Sequence, residues 1–234
     1  MAAPVSINGI PVINNLSDAS AYAVNMSSYE AITQSLYDSA AYPTAGINQL
    51  TFFQLALGAG AGVISGAAKT AEDTNMQVGG SLPAMQAYVV TSIELDVQPN
   101  IPGFTAATQP SYLGAAATVT LINDVYKVRT TGYLNVNIGS KSYMLEGPLM
   151  KFPASNDFDV SAALSNATTA AAAQALYIAY AKAVGVPYVL SPNNLLLIPN
   201  QNFNLTLNWA TVQTTTAQLR IFARFMGQLL RAAQ

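Results

Sequence analysis

The sequence predicts an all-β chain: an eight-stranded antiparallel jelly-roll sandwich, with an extended N-terminal arm over 1–48 and a single jelly-roll domain over 49–234. One inserted helix is expected at about 166–184. Three observations predict this. Apolar and polar residues alternate along several segments, the period of strands with one wet face. Gly, Pro, Asn and Asp punctuate those segments. Only one long stretch, rich in alanine, has helical period.

The first 48 residues are polar and weakly periodic, as in an arm. Within them 28-SYEAITQSLYDSAAY-42 reads as a short helix, with Ile32, Leu36 and Tyr37 on one stripe. Strands begin at 49–57, QLTFFQLAL, followed by Gly/Ala-rich chain. In 86–97, Val89, Thr91, Ile93, Leu95 and Val97 face one way, and Ser92, Glu94 and Asp96 the other. The Pro-rich stretch 98–114 breaks the pattern.

Segments 115–123, 125–138 and 142–149 read as consecutive antiparallel strands, with turns at Asn123-Asp124 and Gly139-Ser140-Lys141. Asn166 caps the expected helix, Leu176, Tyr177, Tyr180 and Val184 recur at helical spacing, and Gly185 and Pro187 end it. The strands 194–199, 201–210 and 217–230 complete the eight. In the last two, Phe203, Leu205, Leu207 and Trp209, and Leu219, Ile221, Ala223 and Phe225, form the core faces. The expected core markers are Phe203, Leu205, Leu207, Trp209 and Ile221.

Composition narrows function. The 234 residues include no His and no Cys, and only 9% are charged, with a net charge of −2. His and Cys, which most enzymes working near neutral pH recruit as base, nucleophile or metal ligand, are therefore missing, and no enzyme is expected. No cofactor and no metal site are expected either. Such low charge leaves much surface to Ala, Ser, Thr, Asn and Gln, which defends poorly against association. Acids without bases occupy 1–68 (Asp18, Glu30, Asp38), and bases without acids occupy 160–234 (Lys182, Arg220, Arg224, Arg231). Two ends of opposite sign suit contact across an interface.

Several motifs bear on function. Glu72, Asp73 and Asn75 lack the distal bidentate Glu of a calcium loop. The glycines of 58-GAGAG-62 lack the Lys spacing of a phosphate loop. The uncharged stretch 52–68 is too short and Gly-rich for a membrane helix, and suits a loop pressed on a neighbouring subunit. Glu94 and Asp96 on one strand face have the spacing to share a proton, but an exposed face opposite Lys or Arg is the simpler reading. Phe222 between Arg220 and Arg224 offers a stacking platform for nucleic acid, though no basic tail accompanies it.

One resemblance stands out. A phenylalanine pair on a strand (Phe52-Phe53), Gly-rich chain, then Asp73-Thr74-Asn75-Met76, Gly80 and Leu82-Pro83 lead into a strand of alternating apolars. With the terminal NFNLTLNW and QLRIFARFMGQLLR, this resembles the major capsid proteins of tailless icosahedral bacteriophages of the jelly-roll lineage. The resemblance covers about half of the chain. It implies a structural virion protein, located in the virion, whose copies self-assemble into an icosahedral shell.

Its expected partners are copies of itself, with other virion proteins and an internal membrane. Direct nucleic-acid binding is not expected, because the arm has no basic residue. The expected subunit contacts are Phe52, Phe53, Asp73, Asn75, Arg220 and Arg224. A carbohydrate-binding or adhesive jelly-roll module is the alternative, with Tyr88, Tyr112, Tyr126, Tyr133 and Tyr143 as platform candidates.

Overall fold

A computed structural model describes residues 6–7, 10–11, 29–63, 66–99, 115–155, 158–164, 176–182 and 185–232. The strands in chain order are β1 (Ser6–Ile7), β2 (Ile10–Pro11), β3 (Tyr29–Thr33), β4 (Leu36–Tyr42), β5 (Gln49–Phe52) and β6 (Gln86–Pro99). A helix, α1 (Ala115–Thr131), separates them from β7 (Gly132–Ile138), β8 (Lys141–Glu146), β9 (Phe158–Leu164) and β10 (Leu176–Lys182). The last are β11 (Tyr188–Val189), β12 (Leu195–Leu197), β13 (Phe203–Trp209) and β14 (Leu219–Ala232).

The architecture is mostly β, with two principal antiparallel sheets around one apolar core. The long strands β6 and β14 pair at the centre of a six-stranded sheet. β11 and β12 lie in tandem beyond β6, and β3 and β4 in tandem beyond β14. The second sheet has the order β5-β13-β7-β8. Two small ribbons, β1–β2 and β9–β10, are hydrogen-bonded to neither.

Alternation fills the interior. Phe203, Leu205, Leu207 and Trp209 of β13 are buried, as are Leu219, Ile221, Ala223 and Phe225 of β14. Phe53 joins the sheets, its ring 4.7 Å from Phe225 and 5.8 Å from Phe203. Tyr42 meets Trp209 edge-on at 5.0 Å, an arrangement aromatic quadrupoles favour. The Trp209 indole N–H donates to the Val128 carbonyl of α1 at 3.0 Å, so the helix closes one end of the core. Gly132, between α1 and β7, sits where a Cβ would lie 2.6 Å from both Trp209 Nε1 and Leu149 Cδ1.

Four expectations are corrected. The stretch 115–131, read as strand, turn and strand, is a single helix, and β7 begins only at Gly132. No Gly or Pro interrupts those residues, and Asp124 and Val128 are buried one helical turn apart. Asn123-Asp124 is therefore no turn; Asp124 instead accepts the Thr216 N–H at 2.6 Å.

The expected 166–184 helix is the second correction. Its first part lies outside the described residues, and Leu176–Lys182 is a strand paired with β9. The alternating Leu176, Ile178 and Tyr180 suit that pairing, and tertiary pairing overrides the alanine propensity. Third, 28–42 is no helix: β3 and β4 both pair with β14. Fourth, the facing of β6 changes along its length. A bulge opposite Met226/Gly227 leaves Thr91 unpaired. Tyr88 and Val90 reach the core before it, and Ile93, Leu95 and Val97 after it. Gly227 permits this, because a Cβ there would lie 1.8 Å from the Val89 carbonyl oxygen. The described residues hold fourteen strands where eight were expected. Seven of the expected eight are present, 115–123 being helix, and the seven additions are β1, β2, β3, β4, β9, β10 and β11.

Candidate functional site: an ionic anchor and a charge-free sheet face

The loop that follows β5 folds back over the β4 edge of the six-stranded sheet. Phe53 has a positive φ of 68°, which lets Phe52 and Phe53, although consecutive, both bury their rings completely. The loop then delivers Lys69 and Asp73. Lys69 Nζ lies 2.5 Å from Asp38 Oδ1 of β4 and donates to the Ser39 carbonyl at 2.8 Å. The Phe53 N–H donates to Asp38 Oδ2 at 2.7 Å. Burial pushes the Asp38 carboxyl above its ordinary pKa, against the opposing pull of Lys69.

Asp73 is also buried but better supplied with donors. The Val63 N–H, Ser39 hydroxyl and Arg220 guanidinium each lie 3.2 Å from Oδ1, and the Thr70 N–H lies 3.2 Å from Oδ2. Burial alone would raise its pKa. The backbone donors of Thr70 and Val63, with Ser39 and Arg220, outweigh burial and hold it below the usual carboxylate range. Asn75 clips the same loop to the β3–β4 turn, accepting from the Tyr37 N–H at 2.9 Å and donating to the Ser35 carbonyl at 2.7 Å.

Next to this anchor, the outer face of β14 presents Arg220, Phe222 and Arg224. The Arg220 guanidinium lies 4.1 Å from the Phe222 ring centre, and that of Arg224 lies 5.1 Å from it. Arg224 also stands between Glu94 at 4.0 Å and Asp96 at 3.9 Å. The two carboxylates thus flank a shared cation and are not arranged as a dyad sharing a proton. The ends of opposite sign meet inside the chain: Arg231 pairs with Glu30 across β14 and β3.

These positions correct the expectation of subunit contacts at Phe52 and Phe53. Phe52 and Phe53 are core residues with no exposed surface. Asp73 is spent on internal hydrogen bonds, Asn75 is tied to Tyr37 and Ser35, and Arg220 pairs with Asp73. The sequence signal for this network was present in Lys69 and Asp73. Their partners Asp38, Ser39 and Arg220 lie tens of residues away or more, so spacing alone did not reveal them.

The second sheet presents a different outer face. Gln49 and Thr51 of β5, Asn204, Thr206 and Asn208 of β13, and Asn135 and Asn137 of β7 all point away from the core. None is charged. The carboxamides are cross-linked: Asn137 Nδ2 donates to Asn204 Oδ1 at 2.9 Å, and Gln49 Nε2 to Asn208 Oδ1 at 3.0 Å. Ser142 of β8 donates to Asn135 Oδ1 at 2.5 Å. Exposed Tyr133 and Leu145 give the face an apolar margin. Sequence reasoning found the polar alternation of β13 but not the continuity of this face, which depends on register between strands distant in sequence.

Among the described residues, no three Asp or Glu are grouped to hold a metal ion, and no helix is long and apolar enough to cross a membrane. Comparison with protein-family models, with curated proteins and with solved structures gave no match.

Proposed function

We propose that this chain is a structural virion protein, a major capsid subunit of jelly-roll fold whose copies assemble into an icosahedral shell, and that it is not an enzyme. The strand order supports the fold reading. Take β4, β5, β6, β7, β8, the β11–β12 pair, β13 and β14 as eight successive segments. The sheets then run 1-8-3-6 and 2-7-4-5. Segments 1 and 8, 2 and 7, 3 and 6, and 4 and 5 are hydrogen-bonded neighbours. That is the pairing of one long antiparallel ribbon rolled into two sheets, the wrapping of a jelly roll.

The observation that carries the function is the charge-free amide face. A carboxamide both donates and accepts, so a surface built of them is complementary to another copy of itself or to an uncharged polar neighbour. No like-charge repulsion opposes its approach. Its partners in this reading are copies of the chain, with other virion proteins and an internal membrane, and its place is the virion. An adhesive, glycan-binding module is the second reading, favoured by exposed Tyr133 beside the amides.

The test is negative-stain microscopy and size exclusion of the purified chain and of Asn204→Lys. The wild type is expected to form closed particles. The variant is expected to remain folded by circular dichroism but to elute as small species. A wild-type chain that stays monomeric under all conditions and binds an immobilised glycan array would overturn the shell reading in favour of the second.

A further inference from the structure

Asp38 is an unusual tenant of its strand. It shares a face of β4 with Leu36 and Tyr42, both core residues, and its side chain is 1% exposed. The Lys69 side chain is 5% exposed. A charged pair held this dry forfeits most of the hydration of both ions, a cost that ion pairing only partly offsets. The pair is also in direct contact. Nζ lies 2.5 Å from one carboxylate oxygen, and the other oxygen is held by the Phe53 N–H at 2.7 Å. A backbone donor so placed stabilises negative charge developing on that oxygen.

From this geometry we propose that Lys69 and Asp38 form an intramolecular isopeptide bond, joining Nζ to Cγ and tying the loop after β5 covalently to β4. The proposal does not depend on the shell function.

The step balances without any co-reactant. The ammonium gives a proton to Oδ1, leaving a neutral amine and a neutral acid, and burial of Asp38 favours that transfer. The amine lone pair attacks Cγ and a C–N bond forms. Charge gathers on Oδ2 against the Phe53 N–H. The nitrogen then loses a second proton to Oδ1, the Cγ–Oδ1 bond breaks, and water leaves. The net change converts an ammonium and a carboxylate into an amide and one water. Two buried charges disappear, which favours the product in a dry site. Holding the two groups in contact supplies the effective concentration that free amines and acids lack.

The experiment is intact-mass spectrometry of the full chain after folding, with peptide mapping. The wild type is expected about 18 Da below its sequence mass, one water lost per amide formed. A branched peptide should join the segment holding Lys69 to the one holding Asp38. Lys69→Arg keeps the positive charge and is expected at its full sequence mass. Asp38→Asn is expected to lose ammonia in place of water, about 17 Da, when its amide is attacked. The wild-type mass needs neither variant, so poor folding of a variant leaves the test intact. A folded wild-type chain at full sequence mass, with Lys69 and Asp38 recovered on separate linear peptides, would overturn the proposal.

Discussion

On the outer side of the six-stranded sheet, Arg220, Phe222 and Arg224 stand beside Glu94 and Asp96, and a loop bearing Lys69 and Asp73 is bolted to the β4 edge. On the outer side of the four-stranded sheet, the equivalent positions hold Asn, Gln, Thr and Ser. The same strand geometry thus serves two ends. Charges are used where they can be paired within the chain, and the surface left over carries almost none. The rarity of charge in the sequence is therefore not spread evenly. Among the described residues, the outer positions of β5, β7 and β13 carry none.

This contrast can be broken at several points. The largest effect is expected where the ionic side is cut. Asp38→Ala leaves Lys69 buried without its carboxylate, and should cost about 3–5 kcal/mol in urea unfolding. A cost near zero would mean the loop is not anchored there. Leu207→Ala, on the core side of the amide-faced sheet, should cost about 2–5 kcal/mol through the cavity it opens. Gly227→Ala probes the bulge that lets β6 change its facing. Overpacking against the Val89 carbonyl should cost about 1–3 kcal/mol. An unchanged melting curve would disprove the close approach.

Acid sharpens the contrast between the two buried carboxylates. Asp73 titrates below its ordinary value when folded, so its contribution is present above that value and is lost as pH falls through the folded pKa. Without the amide to Lys69, Asp38 titrates above its ordinary value, so its ionised form costs stability, and protonation on the way down recovers it. Asp73→Asn should accordingly flatten the acid loss of stability, and in a Lys69→Arg background, where no amide forms, Asp38→Asn should steepen it. Urea midpoints across a pH series below neutrality check both signs. The smallest effect is expected from Asn137→Ala on the amide face, within about 0.5–1.5 kcal/mol for one neutral hydrogen bond. A larger loss would mean that face stabilises the monomer rather than waiting for a neighbour.

Much of this was legible in the residues. β13 and β14 show alternation so regular that their core faces follow directly from Phe203 to Trp209 and from Leu219 to Phe225. What was not legible depended on long-range terms. Val, Thr and Ile in 115–131 carry strand propensity, yet the segment is helical and packs Val128 against the core. The alanines before Lys182 favour helix, yet pairing with β9 makes a strand. The bulge at Thr91 cannot be read from β6 alone, because the residue that permits it is Gly227 on the partner strand. Phe52 and Phe53 were both expected at a subunit contact, and the positive φ of Phe53 sends both inward.

In the proposed shell, the amide face lets copies of this chain pack without charge. Light scattering of purified subunits across a sulfate series, with and without added nucleic acid, tests it most directly. Apolar burial and neutral hydrogen bonds survive screening, and a kosmotropic salt strengthens burial. The account predicts particles that form without nucleic acid and persist or increase as sulfate rises. Assembly that requires nucleic acid and collapses as salt rises, as counterion release dictates for a templated coat, would contradict it.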